Sequence, residues 1–282
     1  LLNRTKWLSL PGLVWLGIFF FIPLLLVTVL SFMERGTYGQ VVYSFTLQNY
    51  VRFFDPLYVS ILFDTLVVSL LTTLLSLMIG YPLAYYIARM DKKWQHTWLL
   101  AVMIPFWINF LVRSYAWVVI LRTQGVVNTF LQSVGLITEP LPLLYNFGSV
   151  MLGMVYTLLP FMVLPIYVSL EQMDRRKLEA AYDLGATPWK AFWHVTLPLT
   201  RPGIVTGSIL VFVSSIGMFV VPDVMGGAKS ALIGNVIQNQ FLSARDWPFG
   251  SALSIILMLL CIVLIFLYYR VIRVQEREGG GE

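Results

Sequence analysis

Six apolar runs of membrane-crossing length divide this chain, and few sequence features constrain a fold so tightly. They cover about residues 12–33, 65–87, 98–121, 148–170, 204–221 and 249–269. A bilayer core about 30 Å thick needs roughly 20 apolar residues of α-helix, because no water is there to satisfy an open backbone. The fold class that follows is an all-α membrane protein. It reads as one transmembrane domain over 1–275, with a flexible tail at 276–282 where three glycines run together. Only 12% of the residues are charged, against about 25% in a soluble domain. The chain opens on Leu1 rather than a methionine, so a native start upstream is expected.

The lysines and arginines orient the spans. With the amino terminus in the cytoplasm, 13 of them fall in inner segments, 5 in outer segments, and Arg113 alone lies within a span. Positive charge accumulates on the cytoplasmic side, so both termini and the loop 171–203 are expected inside. The net charge of +5 is therefore a topology signal, and no nucleic-acid partner is expected. Proline and glycine recur in the spans, as at Pro82, Pro105, Pro160 and Gly207. They permit bending and close helix packing, although membrane helices in general are rich in both.

Catalytic constellations are missing from the sequence. The only histidines are His96 and His194, and the single cysteine, Cys261, sits in an apolar run. No metal set and no catalytic set is expected. Gly226-Gly227-Ala228-Lys229-Ser230 has the outline of the end of a phosphate-binding loop. It lacks the adjacent Gly-Lys-Ser/Thr and lies on the outer side, so no nucleotide is expected there. The pair Asp64-Thr65 reads as the cap of the second span.

The longest charged stretch between spans is Glu179-Ala180-Ala181-Tyr182-Asp183-Leu184-Gly185-Ala186-Thr187-Pro188. Asp174 suits the N-cap of a helix from Arg175 to Leu184, and Gly185 suits the left-handed position just past its end. Thr187 then caps a second helix with Pro188 in its first turn. Leu197-Pro198 is expected to end that helix, since the residue before proline is pushed out of the α region. Two short helices at an angle would form a knob on the inner face. An ordinary amphipathic hairpin has the same outline.

The pattern E-A-A-x-x-x-G-A, continuing to L-P-L-x-x-P-G-I, resembles the cytoplasmic coupling loop of type I ATP-binding-cassette importer permeases. That resemblance implies a six-span permease fold with a coupling helix-turn-helix that docks on a dimer of ATPase subunits. It implies that Glu179, Ala180, Ala181, Asp183, Gly185 and Ala186 make the ATPase-coupling contact. ATP and magnesium would then be bound by the ATPase, with no cofactor in this chain and no enzyme activity of its own. Motion would pass through the joint from Leu197-Pro198-Leu199 to Pro202-Gly203 into the fifth span.

Polar groups near spans usually face a path or a partner. Asn109 and Arg113 are four residues apart beside Trp107 and Tyr115, and Asp223 follows Phe219 at the end of the fifth span. An acid with aromatic neighbours suits a cation. Trp107, Asn109, Phe219 and Asp223 are therefore the candidate path or gate residues. Plainer readings also stand: Asp223 as an interfacial loop residue, Asn109 in helix packing, and Arg113 in a structural pairing.

Pro105-Phe106-Trp107-x-Asn109-x-x-x-Arg113-x-Tyr115, Leu159-Pro160-Phe161-Met162 and the stretch from Val224-Met225-Gly226-Gly227 through Arg245-Asp246-Trp247-Pro248-Phe249-Gly250 narrow the resemblance. They are similar to the first permease subunit of bacterial spermidine/putrescine importers, over essentially the whole chain. Val220 and Gln238 depart from the aromatic and lysine that some polyamine permeases carry there. The resemblance implies a bacterial inner-membrane location, a second homologous permease and an extracytoplasmic solute-binding protein. Alternatives are a permease for another small solute, such as an opine, an amino-acid derivative or ferric ion. A stand-alone secondary transporter would need an ion or acid site at mid-depth, and these spans hold almost no acids.

Overall fold

The computed structural model describes residues 2–227 and 231–279. Helix α1 (Leu2–Ser31) leads into an antiparallel hairpin, β1 (Glu34–Arg35) with β2 (Val41–Val42), Glu34 facing Val42. Then follow α2 (Gln48–Phe53), α3 (Pro56–Arg89), α4 (Lys92–Trp107), α5 (Phe110–Leu121), α6 (Val126–Ser133) and α7 (Phe147–Glu171). The loop after α7 holds α8 (Arg175–Asp183), α9 (Pro188–Ala191), a π turn (Phe192–Thr196) and α10 (Leu197–Leu199). The chain finishes with α11 (Arg201–Ile216), α12 (Val220–Gly226), α13 (Ile233–Leu242) and α14 (Trp247–Gly279).

Four of the described helices are long and apolar enough to cross a membrane: Val14–Ser31 of α1, α3, α7, and Trp247–Tyr268 of α14. Two bent pairs raise the number to six: α4 with Phe110–Ser133, bent by 93°, and Pro188–Leu199 with α11, bent by 63°.

Several elements differ from the sequence expectation, each for a local reason. The third span is two helices rather than one. Pro105 removes a ladder donor, and Ile108 and Asn109 are extended (ψ 134° and 132°). Asn109 then starts α5 by accepting the Leu111 N–H at 2.9 Å. The fifth span breaks after Ile216 and resumes at Val220. Asp64 is no cap, because α3 begins earlier at Pro56, where Asp55 Oδ1 takes the Leu57 N–H at 2.9 Å. The second loop helix does not stop before Pro198. The π turn widens the ladder just ahead of it, which accommodates a ring that would clash with the carbonyl four residues back. The break falls at Thr200 instead (φ −94°, ψ 2°). Helix α14 runs on through Gly279, so the first four residues of the expected flexible tail are helical; 280–282 lie outside the described residues.

By its internal contacts the chain divides into two compact units, 1–60 with 236–282, and 61–235. In the first, α1 packs along α14. The end where α14 begins is tied by Asp246, which is 1% exposed and accepts from Arg52 Nη1 at 2.8 Å, with Arg35 Nη1 at 3.8 Å. Asp246 Oδ1 also takes the Phe249 N–H that opens α14, and the Arg52 guanidinium lies 4.0 Å over the Phe249 ring. Burial, the largest single influence, lowers the Arg52 pKa, but the hydrogen bonds to Asp246 and Tyr58 and the charges of the same two groups together outweigh it and move the value up. Asn49 holds α2 in place by donating to the Ser31 and Met33 carbonyls at 3.0 and 2.9 Å.

The second unit is built around α7, whose buried Met154, Leu158, Met162 and Ile166 carry the core. Without a hydrophobic drive between helices in lipid, close approach depends on small residues. Gly203 and Gly207 supply it on α11. A Cβ at Gly203 would lie 2.5 Å from the Pro165 carbonyl, and one at Gly207 2.9 Å from Met162 Sδ.

Two predictions follow from this packing. Gly203→Val overpacks the crossing and is expected to cost about 1–3 kcal/mol, whereas Gly17→Val, with nothing within 4 Å, leaves stability alone. Asp246→Asn is expected to cost about 1–2 kcal/mol, below the usual figure for breaking a buried pair because both arginines are 45% exposed. Thermal unfolding of the purified protein in detergent measures both.

Candidate functional site

Two places gather the candidate residues, and both are assembled from local chain chemistry. The first is the loop 174–203. Asp174 Oδ1 accepts the Arg176 N–H at 3.0 Å and starts α8. At its other end the Ala186 N–H reaches the Ala181 carbonyl at 3.0 Å and the Gly185 N–H reaches Tyr182 at 2.9 Å. This paired closure requires a left-handed residue just past the helix, and Gly185 has φ +81°. Thr187 Oγ1 takes the Lys190 N–H at 3.4 Å and opens α9 with Pro188 in its first turn. Every cap expected for this loop is therefore formed.

The α8 end of the knob is open to its surroundings. Glu179, Ala180, Asp183 and Gly185 are exposed, while Ala181 and Ala186 are half-buried. Among the described residues Glu179 has no ion-pair partner. Glu179 and Tyr182 border a cavity of about 770 Å³ that reaches Arg89, Asp91, Gln95 and Glu171. Sequence reasoning missed the apolar part of this surface. Leu184 is 89% exposed and Trp189 70% exposed, with Trp193 edge-on to Trp189 at 5.8 Å. Their spacing gave no signal, since tryptophans in such a chain read as interfacial anchors. On a capped loop between spans they form instead the kind of aromatic and aliphatic patch that anchors a protein partner.

The second place is the pair of breaks in the membrane helices. Trp107 ends α4 and Asn109 caps α5; Phe219 caps α12 and Asp223 lies in its first turn. Trp107, Asn109 and Asp223 are exposed, and Phe219 is half-buried. Helix α12 packs against both α5 and α7, so the helices that follow the two breaks are neighbours. Side chains tie the start of α13 to the fifth-span break and to α3. The Phe219 carbonyl accepts from Asn235 Nδ2 at 2.8 Å, and the Ile233 N–H donates to Thr65 Oγ1 at 2.9 Å. Thr65 and Asn235, both buried, were not singled out from the sequence for this role. Arg113 is buried too, with no acceptor for its Nε and Nη1 among the described residues. Of the outer glycine loop only Gly226 and Gly227 are described; Lys229 lies outside the described residues. Irregular backbone at membrane depth is tolerated where it is buried in protein or lines a wet cavity, which suits the two breaks to a solute path.

Comparison with known proteins places this geometry. Residues 76–277 match the family model described as binding-protein-dependent transport system inner membrane component. The spermidine/putrescine transport system permease protein PotB of Haemophilus influenzae is 44% identical over 94% of this chain and 92% of its own length. Among solved structures, a bacterial transporter that imports the acidic polysaccharide alginate matches with a TM-score of 0.75 at 18% identity, over 96% of this chain and 95% of the other. The alginate transporter in complex with its alginate-bound periplasmic protein matches with 0.73 at 18%, over 94% and 92%. At such identity these structures speak for the fold, that of type I importer permeases.

A partner seated on the knob is expected to lose about tenfold or more in affinity when Leu184 or Trp189 becomes alanine. Titration of a candidate partner protein onto this chain measures this, with thermal unfolding unchanged for Leu184→Ala, whose side chain is exposed.

Proposed function

The chain belongs to the family of binding-protein-dependent transport system inner membrane components, and from that premise we propose that it is the permease subunit through which an ATP-driven importer passes polyamines. The observation that carries the substrate class is the likeness, along nearly the whole chain, to a spermidine/putrescine permease. The chain is a transport component of the inner membrane. The excess of lysine and arginine in the inner segments supports a topology with both termini in the cytoplasm.

In this reading a solute-binding protein delivers the polyamine to the outer face, and a second, homologous permease completes the pore. Two ATPase subunits bind ATP and magnesium and hydrolyse the nucleotide. They reach this chain through the loop 174–203, whose exposed Glu179, Leu184 and Trp189 supply one charge and an apolar anchor. An exposed ion pair contributes under about 1 kcal/mol, so the shape of the knob matters more than the Glu179 carboxylate. Closure of the ATPase dimer pushes the knob, and the bend at Thr200 passes the push to α11. At the path, the Asp223 carboxylate attracts the solute's ammonium groups and the Phe219 and Trp107 rings offer cation–π faces. Opening requires the Asn235 and Thr65 bonds at the fifth-span break to exchange partners.

ATP hydrolysis by the reconstituted importer with its binding protein is expected to rise with spermidine or putrescine and not with an amino acid. The opposite preference assigns another solute. Gly185→Asp places a side chain where φ is +81° and is expected to uncouple hydrolysis from uptake more completely than Glu179→Gln. Equal coupling in the two variants would contradict the primacy of shape.

A further inference from the structure

The coupling loop is not evenly attached to the rest of its unit. At the α9 end, Phe192 opens the π turn and meets two rings of α3 edge-on: Tyr81 and Tyr85, both at 5.7 Å, with interplanar angles of 84° and 86°. Trp189 stacks on Phe192 at 6.2 Å. At the nearby bend, Thr200 Oγ1 donates to the Thr196 carbonyl at 2.9 Å, so the Tyr81 hydroxyl is the donor in its 3.0 Å bond to Thr200 Oγ1. At the α8 end the contacts thin out. Glu179 and Tyr182 border the 770 Å³ cavity, and nothing lies within 4 Å of a Cβ at Gly185. One end is seated on α3, and the other hangs over open space.

Helix α3 continues from that seat to the start of α13, which lies against the fifth-span break: a Cβ at Gly234 would meet the Gly217 and Met218 carbonyls at 3.1 Å, and Asn235 bonds the Phe219 carbonyl. Thr65, which holds the Ile233 N–H there, lies 16 residues before Tyr81 on the same helix, about 24 Å along its axis. We propose that α3 is a second transmission rod of the importer: Phe192, seated on Tyr81 and Tyr85, is the fulcrum about which α8 swings over the cavity, and α3 carries the stroke to the Thr65 seal of the fifth-span break. This rests on the reading of the 174–203 loop as the ATPase contact. Phe192 and Thr65 are thus positioning residues that act without touching the solute. The π turn fits the role, since such widened turns inside helices mark functional positions. A rod of this kind also explains why the loop needs rings in its second helix, where α11 alone would ask only for a stiff joint.

The test uses the complete importer, with its second permease, ATPase and binding protein, in lipid vesicles, and reads spermidine taken up per ATP hydrolysed. Phe192→Leu keeps bulk without a ring and is expected to lower that ratio about fivefold, the worth of one lost ring pair. Phe192→Tyr is expected to restore it. Thr65→Val, which keeps the shape and removes the acceptor, is expected to show the same loss. Native coupling in either Phe192→Leu or Thr65→Val overturns the rod. If Gly185→Asp uncouples in the same vesicles while they do not, the loop reading stands without it; if none of the three changes the ratio, the loop reading falls as well. Should Phe192→Leu fail to assemble, spin labels in a Cys261→Ala background decide. The pair at Tyr86→Cys and His194→Cys is expected to keep its distance when nucleotide binds, and the pair at Tyr86→Cys and Lys177→Cys to change it. The reverse pattern overturns the proposal.

Discussion

A backbone group that leaves the helical ladder inside a bilayer has no water to turn to, so each break must bring its own donors and acceptors. In residues 61–235 this constraint shapes most of what matters. Asn109 caps the helix that restarts after one break, while Asn235 bonds the Phe219 carbonyl at the other and Thr65 takes the Ile233 N–H that opens α13. Because these partners come from different parts of the chain, the fifth-span break cannot be rearranged without moving the start of α13, which is itself tied to α3. Buried hydrogen bonds of this kind are each modest in net worth, yet costly to leave unmade. A path lined by them therefore has discrete arrangements rather than a continuous range.

How much of this was legible depended on how local the cause was. The caps of the knob could be read directly, because Asp174, Gly185, Thr187 and Pro188 act on backbone within a few residues of themselves. Membrane-crossing lengths were equally plain, since they rest on runs of apolar residues. Asn109 was misplaced on a helix face because a span with a break has the same hydropathy as one without. Pro198 was taken as a stop for the same kind of reason: the π turn that admits it opens on Phe192, whose ring meets Tyr81 and Tyr85 of α3, more than a hundred residues earlier. Thr65 and Asn235 carry no sequence signature at all. A threonine in a membrane helix usually bonds its own preceding turn, and Thr65 does that too, donating to Ile61 at 2.7 Å while accepting from Ile233.

The two units solve the problem of holding helices together differently. Around α7, glycines bring backbones to within touching distance and van der Waals contact does the rest. In the unit formed by 1–60 and 236–282, the end where α14 begins relies on charge, with one buried carboxylate gathering two arginines and a helix start. That division follows the solvent. A half-exposed guanidinium is tolerable where water can reach it and expensive where only lipid can.

Gly185 closes α8 with a backbone of φ +81°, yet a side chain built there meets nothing within 4 Å. What excludes other residues from the isolated chain is handedness alone, at roughly 1–2 kcal/mol for an L-residue. A mirror-image alanine placed at 185 by chemical synthesis would relax into the same turn and even stiffen it. Any transport defect it caused would report on the thickness of the groove that receives the turn, separating crowding in the partner from distortion in the chain itself.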